Sequence, residues 1–151
     1  MSEENENNKI TIDSYIENSN CKINQTRTEY LNGEPIVLQG YKLPRKLVYY
    51  NIKNGRFAKE YIKIIREEGG SLKPEVPEDA KKIQELLVSL KPNDTRRTRE
   101  DIIKKGQTEL ALITRDGYLI DGNRRMAILT SLFKETSDEK YDFIKVARIE
   151  E

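Results

Sequence analysis

Asp121, Gly122, Asn123, Arg124 and Arg125 follow one another where an apolar run ends and a helical period begins, and two adjacent guanidiniums there point to anion chemistry. Tyr118 to Ile120 reads as the second strand of a hairpin turned at Asp116-Gly117, with Leu110 to Thr114 as the first. Ala127, Ile128, Leu129, Leu132 and Phe133 then give the apolar face of a helix starting near Asn123. At such a strand-to-helix junction the N–H groups of the first helical turn are unpaired and the helix dipole favours negative charge, while Gly122 lets a ligand approach the backbone. Arginine is disfavoured electrostatically in a first helical turn, so Arg124 and Arg125 require an anion, open solvent or acidic neighbours. A phosphate meets that need; so does pairing with nearby acids, in a chain that is 35% charged.

A second loop repeats the pattern. Leu47 to Tyr50 is β-prone, Asn51-Ile-Lys-Asn-Gly-Arg56 is a polar turn, and Phe57, Ala58, Tyr61, Ile62, Ile64 and Ile65 set a helical period stopped by Gly69-Gly70. Asn54 and Arg56 are thereby candidates to face a ligand, against the plainer reading of a turn with a solvated arginine. The densest basic cluster, Arg96, Arg97 and Arg99 followed by Lys104 and Lys105, is a candidate DNA contact or a solvated face balanced by Glu100 and Asp101. No aromatic is interleaved with those charges, which favours the solvated face.

The elements that position these residues are legible in part. Asp79 to Leu90 places Ile83, Leu86, Leu87 and Leu90 at i, i+3, i+4 and i+7, an amphipathic helix for the core. Lys91 to Thr95 reads as a break, after which Thr98-Arg-Glu-Asp101 reads as a capping box opening a short helix that ends at Gly106. Asn32-Gly33 signals a turn before a short strand at Pro35 to Gln39, Ser137 to Lys140 reads as a polar loop, and Phe143 to Ile149 as a closing strand. Residues 1–20 read as a disordered or loosely packed leader, acidic and polar at first and only sparsely apolar from Ile10, and residues 21–151 as one domain.

Composition removes whole classes of function. The 151 residues include no histidine, which excludes Ser-His-Asp and Cys-His catalysis and histidine-metal centres. The single cysteine, Cys21, has no Cys-x-x-Cys partner and reads as a small packed thiol. A net charge of +1 gives no global field toward nucleic acid or membrane, so any basic surface is local. No apolar run is long enough to cross a bilayer and no signal-peptide core is present, so the expected location is the cytoplasm.

The order of these boxes resembles the ParB/sulfiredoxin superfamily, in particular the ParB amino-terminal domain, over roughly residues 42–149. Asn51-Ile-Lys-Asn-Gly-Arg56 is similar to the family's Asn-Pro-x-x-x-Arg or Asn-x-Arg box, and Ile102-Ile-Lys-Lys-Gly-Gln107 to its Ser-Ile-x-x-x-Gly-hydrophobic-Gln segment. Leu110 to Thr114 stands where the family has a Pro-Ile-x-Val strand, and Gly122-Asn-Arg-Arg125 with Ala127 resembles Gly-Glu-Arg-Arg-x-x-Ala. The resemblance implies an α/β (α+β) fold, a small mixed sheet with flanking helices. It further implies that a nucleoside triphosphate, CTP or ATP with Mg2+, binds as a switch in a DNA-associated process such as DNA partition or phage defence.

In that reading Gly122, Asn123, Arg124 and Arg125 line the nucleotide site, and Asn54 and Arg56 close it. Asn123 stands where ParB has a glutamate and sulfiredoxin its catalytic cysteine, which excludes the sulfiredoxin repair reaction and leaves the metal ligands unassigned, with Asp121 the nearest carboxylate. Catalysis by an NTPase of this kind would be phosphoanhydride hydrolysis, with Arg124 and Arg125 stabilising phosphoryl charge. Asp121-Gly-Asn-Arg124 also resembles the Asp-Gly-Gln-Arg box of type IV restriction and phage-defence proteins on the same scaffold. The alternatives are a ParB-like nuclease gripping DNA phosphates and a non-enzymatic DNA-binding module on Arg96, Arg97 and Arg99. DNA is the implied partner, directly or through a further domain, and a homodimer is compatible. ParB continues into a helix-turn-helix and a dimerisation segment, so a chain ending at Glu151 is expected to be a fragment or to have another output.

Overall fold

A computed structural model describes residues 3–51, 58–67 and 72–149. Strands β1 (Lys22–Leu31), β2 (Glu34–Pro44), β3 (Ala111–Ile113), β4 (Leu119–Asp121) and β5 (Phe143–Arg148) form one sheet in the order β1-β2-β5-β3-β4. Among the five strands β3 and β5 pair in parallel and the other neighbours antiparallel, so the sheet is mixed. Helices α1 (Glu3–Asn18), α2 (Ala58–Glu67), α3 (Pro77–Ser89), α4 (Pro92–Lys105) and α5 (Asn123–Thr136) complete an α+β fold. None of the described helices is long and apolar enough to cross a membrane.

The main core lies between the sheet and the helices. Met126, Ala127, Ile128, Leu129 and Leu132 of α5 are buried against Ile83 and Leu87 of α3 and against Ile144 and Val146 of β5. The opposite face of the sheet carries a smaller core of Leu110, Leu112 and Ala147, covered by Ile23 and Leu38 of the β1–β2 hairpin. Asn32 and Gly33 turn that hairpin with φ of 52° and 80°, the two positive values a type I′ turn requires. Lys22 pairs with Tyr41 and Thr26 with Gln39, so residues 23–25 oppose Gly40 alone and the strand bulges. A Cβ on Gly40 would lie 2.6 Å from the Gln25 carbonyl oxygen, so this close approach of β1 needs glycine. The bent strand then reaches across the sheet: Gln25 Nε2 donates to the Thr108 carbonyl at 2.7 Å.

Three local expectations are corrected. The amino-terminal segment is not a disordered leader in its described part. Glu3–Asn18 is a helix, Ile12 is fully buried, and Asn8 Nδ2 donates to the carbonyls of Leu47 (3.1 Å) and Asp116 (2.6 Å). Ile12, with Tyr15 and Ile16 packed beside it at i+3 and i+4, docks the helix on the core, and the Asn8 bonds add polar anchors. The capping box at Thr98 is mid-helix, because α4 already begins at Pro92, where proline suits a first helical position, and the break contracts to Lys91 with φ 48°. Leu47 to Tyr50 is no regular strand: a 3-10 turn at Arg45–Leu47 leads into a single parallel bridge between Tyr49 and Tyr118.

Candidate functional site

The bridge at Tyr49 decides what meets the junction at Gly122. Tyr49 N–H donates to the Gly117 carbonyl at 2.8 Å and Leu119 N–H to the Tyr49 carbonyl at 2.9 Å, so the chain runs beside β4 and delivers Asn51 to the start of α5. There Asn123 receives it. Its Oδ1 accepts from the Asn51 N–H at 2.8 Å and its Nδ2 donates to the Asn51 carbonyl at 3.0 Å. One carboxamide thus satisfies both backbone groups of one residue, as a neighbouring strand would. The two polar boxes seen in the sequence are joined by this pair. Asn54 and Arg56 lie outside the described residues.

Gly122 ends β4 with φ 108° and caps α5, and a Cβ there would stand 2.7 Å from the Ala111 Cβ. Among the described residues no side chain caps α5, and its first turn contains no acid. The first intrahelical bond is Met126 N–H to the Gly122 carbonyl at 2.9 Å, so the amides of Asn123, Arg124 and Arg125 precede the ladder. Both guanidiniums are largely sheltered, and they diverge. The Arg124 side chain, 17% exposed, brings Nη1 to 4.0 Å from Asp94 Oδ2 at the start of α4. The Arg125 side chain, 18% exposed, folds back past Gly122 to meet Glu109 Oε2 at 3.3 Å, and its buried Nη1 has no hydrogen-bond partner among the described residues. Acidic neighbours weighed at the outset are therefore present: Asp94 lies near Arg124, and Glu109 pairs with Arg125 through a carboxylate that is 80% exposed, which screens it strongly.

Asp121 is engaged elsewhere. Arg27 of the bent β1 places Nη1 2.9 Å from Asp121 Oδ2 and 2.8 Å from the Leu110 carbonyl. Sequence reasoning missed Arg27, and no local signal marks it, since it reaches the site only through the bulge opposite Gly40. Of the α4 cluster, Arg96 and Arg97 are exposed, whereas Arg99 pairs with Glu135 of α5 at 2.5 Å. No group of three or more His, Cys, Asp or Glu side chains placed to hold a metal occurs among the described residues. Cys21 is buried, and that burial pushes its thiol up, which suits an unreactive packed sulfur.

A cleft of about 510 Å³ opens alongside α5, beginning at Met126, less than one turn beyond Asn123. Arg45, Lys46, Lys81 and Lys134 give it four cations against Glu75 and Asp142, and Tyr49 and Tyr50 form a wall. Arg45 is fixed by the Tyr141 carbonyl at 2.7 Å, Thr130 Oγ1 at 2.9 Å and Asp142 at 3.3 Å. Tyr49 stacks at a tilt on Tyr118 with centroids 5.3 Å apart, and the Tyr118 hydroxyl donates to Glu75. Burial pushes the Tyr50 hydroxyl up to about 12, so it is neutral at physiological pH. The sequence reading did not assemble this cleft, whose lining comes from segments 97 residues apart, from Arg45 to Asp142.

No protein-family model, curated protein or solved structure matches the chain.

Proposed function

We propose that this chain is a ParB/sulfiredoxin-like domain that binds a nucleoside triphosphate at Gly122 to Arg125 and uses it as a switch in a DNA-associated process. The observation that carries the reading is the construction of one helix start. An uncapped, acid-free turn follows a glycine whose Cβ is sterically excluded, and two sheltered arginines stand in it. Backbone amides, a helix dipole and guanidiniums together suit phosphoryl oxygens. The adjoining cleft, with cations and tyrosine rings beside the same helix, supplies room for the nucleoside.

The donor set fits the phosphates better than a protein-held magnesium. Asp121 is turned to Arg27, and Asn123 Oδ1 is used by Asn51, so Mg2+ would travel with the triphosphate. Arg124 and Arg125 would neutralise phosphoryl charge in a hydrolytic reaction, for which no general base is assigned. The switch resides in the Asn51–Asn123 pair, because a phosphate on the first amides of α5 sits beside the two hydrogen bonds that hold Asn51. A second reading, a DNA contact through α4, is favoured by the exposure of Arg96 and Arg97.

Calorimetric titration with CTP, ATP and GTP, with and without magnesium, tests the proposal. Saturable binding of one triphosphate, lost in Arg124→Ala while the fold persists, supports it. No heat with any of them, with DNA present or absent, overturns it. DNA binding that falls steeply with salt and ignores Arg124→Ala would support the α4 reading instead.

A further inference from the structure

A second cationic pocket, of about 330 Å³, lies away from Gly122, where the end of α4 meets β2, β5 and the 3-10 turn Glu139–Asp142. Lys42, Lys104, Lys140 and Lys145 line it, together with the rings of Tyr141 and Phe143, and no carboxylate does. We propose that this pocket binds a compact polyphosphate anion, with at least two linked phosphates.

Four lysines line one small concavity, a local concentration of positive charge in a molecule whose net charge is only +1. Individual partners account for them incompletely. Lys104 complements the carbonyl end of α4, Lys140 has Asp138 at 3.7 Å in a well-solvated pair, and Lys42 and Lys140 lie 4.8 and 5.0 Å over the Phe143 and Tyr141 rings. None of these contacts is a buried counter-charge.

The pocket is also built on a fixed frame. Gln107, 8% exposed, accepts from Lys145 N–H at 2.8 Å and donates to the Lys145 carbonyl and the Glu109 carbonyl, each at 2.8 Å. Lys145 Nζ in turn reaches the Gln107 carbonyl at 3.3 Å, so the turn after α4 and the lysine on β5 hold each other. Preorganisation of this kind reduces the ordering that an anion would otherwise demand. Compactness follows from the size of the concavity, about 330 Å³, which suits a small anion rather than an extended backbone. Lysine, a point charge on a flexible stem, suits phosphate oxygens without demanding a planar fork.

The test is amide NMR of the full chain at low salt, titrated separately with pyrophosphate, inorganic monophosphate and a short DNA duplex. Expected are saturable shifts at Gly106, Gln107 and Lys145 with pyrophosphate, at about tenfold higher affinity than monophosphate. The exposed double variant Lys104→Gln/Lys140→Gln should lose about fivefold in affinity per lysine, whereas Arg124→Ala should not affect these shifts. Failure of those amides to move, equal affinity for monophosphate, or movement with DNA alone overturns the proposal. Because the readout is at Gly106, Gln107 and Lys145, it stands or falls independently of triphosphate binding at Gly122.

Discussion

The side chain of Asn123 grips Asn51 by both backbone groups, with Oδ1 2.8 Å from the Asn51 nitrogen and Nδ2 3.0 Å from its carbonyl oxygen. Gln107 grips Lys145 in the same two-handed way. Each carboxamide stands in for a strand neighbour, and each ties a turn to the element beside it. The first of these ties joins Asn51 to the helix start proposed to hold phosphate.

Asn123→Ala should remove both bonds and lower stability by about 1–3 kcal/mol, measured by urea unfolding. Asn123→Asp keeps an acceptor for the Asn51 N–H but sets a carboxylate oxygen against the Asn51 carbonyl, 3.0 Å from the present Nδ2, so the favourable charge in the first helical turn should not restore the stability of the natural chain. That carboxylate should also weaken triphosphate binding by repulsion. Equal stability of Asn123→Ala and the natural chain would deny the tie any energetic role.

Gly122→Ala should cost about 1–3 kcal/mol, the range for overpacking, because the new methyl meets the Ala111 Cβ at 2.7 Å and the backbone sits at φ 108°. Thermal and urea unfolding would check this. A neutral substitution would mean that β4 and α5 join more loosely than the geometry describes.

Arg148 attaches α1 to the sheet. Its side chain is 8% exposed and Nη1 lies 2.6 Å from Asp13 Oδ1, while Nε donates to the Arg115 carbonyl at 3.0 Å. Asp13→Asn keeps an acceptor for Arg148 and removes the charge of a carboxylate that is 41% exposed, so it should cost up to about 1 kcal/mol. Hydrogen exchange should accelerate first in α1, around Asn8 and Ile12. Uniform acceleration over the whole chain would show that α1 does not open as a unit.

Alkaline pH should destabilise the fold through tyrosine. Burial raises the Tyr50 hydroxyl from its ordinary value of 10 to about 12, and burial followed by the Glu75 hydrogen bond also raises Tyr118. Above pH 10 the unfolded chain releases these protons while the native one retains them, so stability present below pH 10 declines as pH rises toward 12. For Tyr50 the full loss is about 2–3 kcal/mol. Tyr50→Phe should flatten the decline, followed by denaturant unfolding alongside tyrosinate absorbance.

Local chemistry made part of this protein legible in its sequence. The Asn32-Gly33 turn, the apolar faces of α3 and α5, and the strand–Gly122–helix junction all arise from residues within a few positions of one another. Dihedral preference and helical periodicity act over that range, so Asp121 to Arg125 could be located before any fold was known. Tertiary structure decided what those residues touch. Asn51 meets Asn123 across 72 positions, and Arg27 meets Asp121 across 94. The four lysines of the second pocket come from β2, α4, a 3-10 turn and β5. Helix α1 was legible only as a sparse apolar stretch from Ile10, because Ile12, Tyr15 and Ile16 are its few core contacts and bonds from Asn8 to distant carbonyls complete its docking. Such bonds depend on where the chain returns in space, which composition and period do not encode.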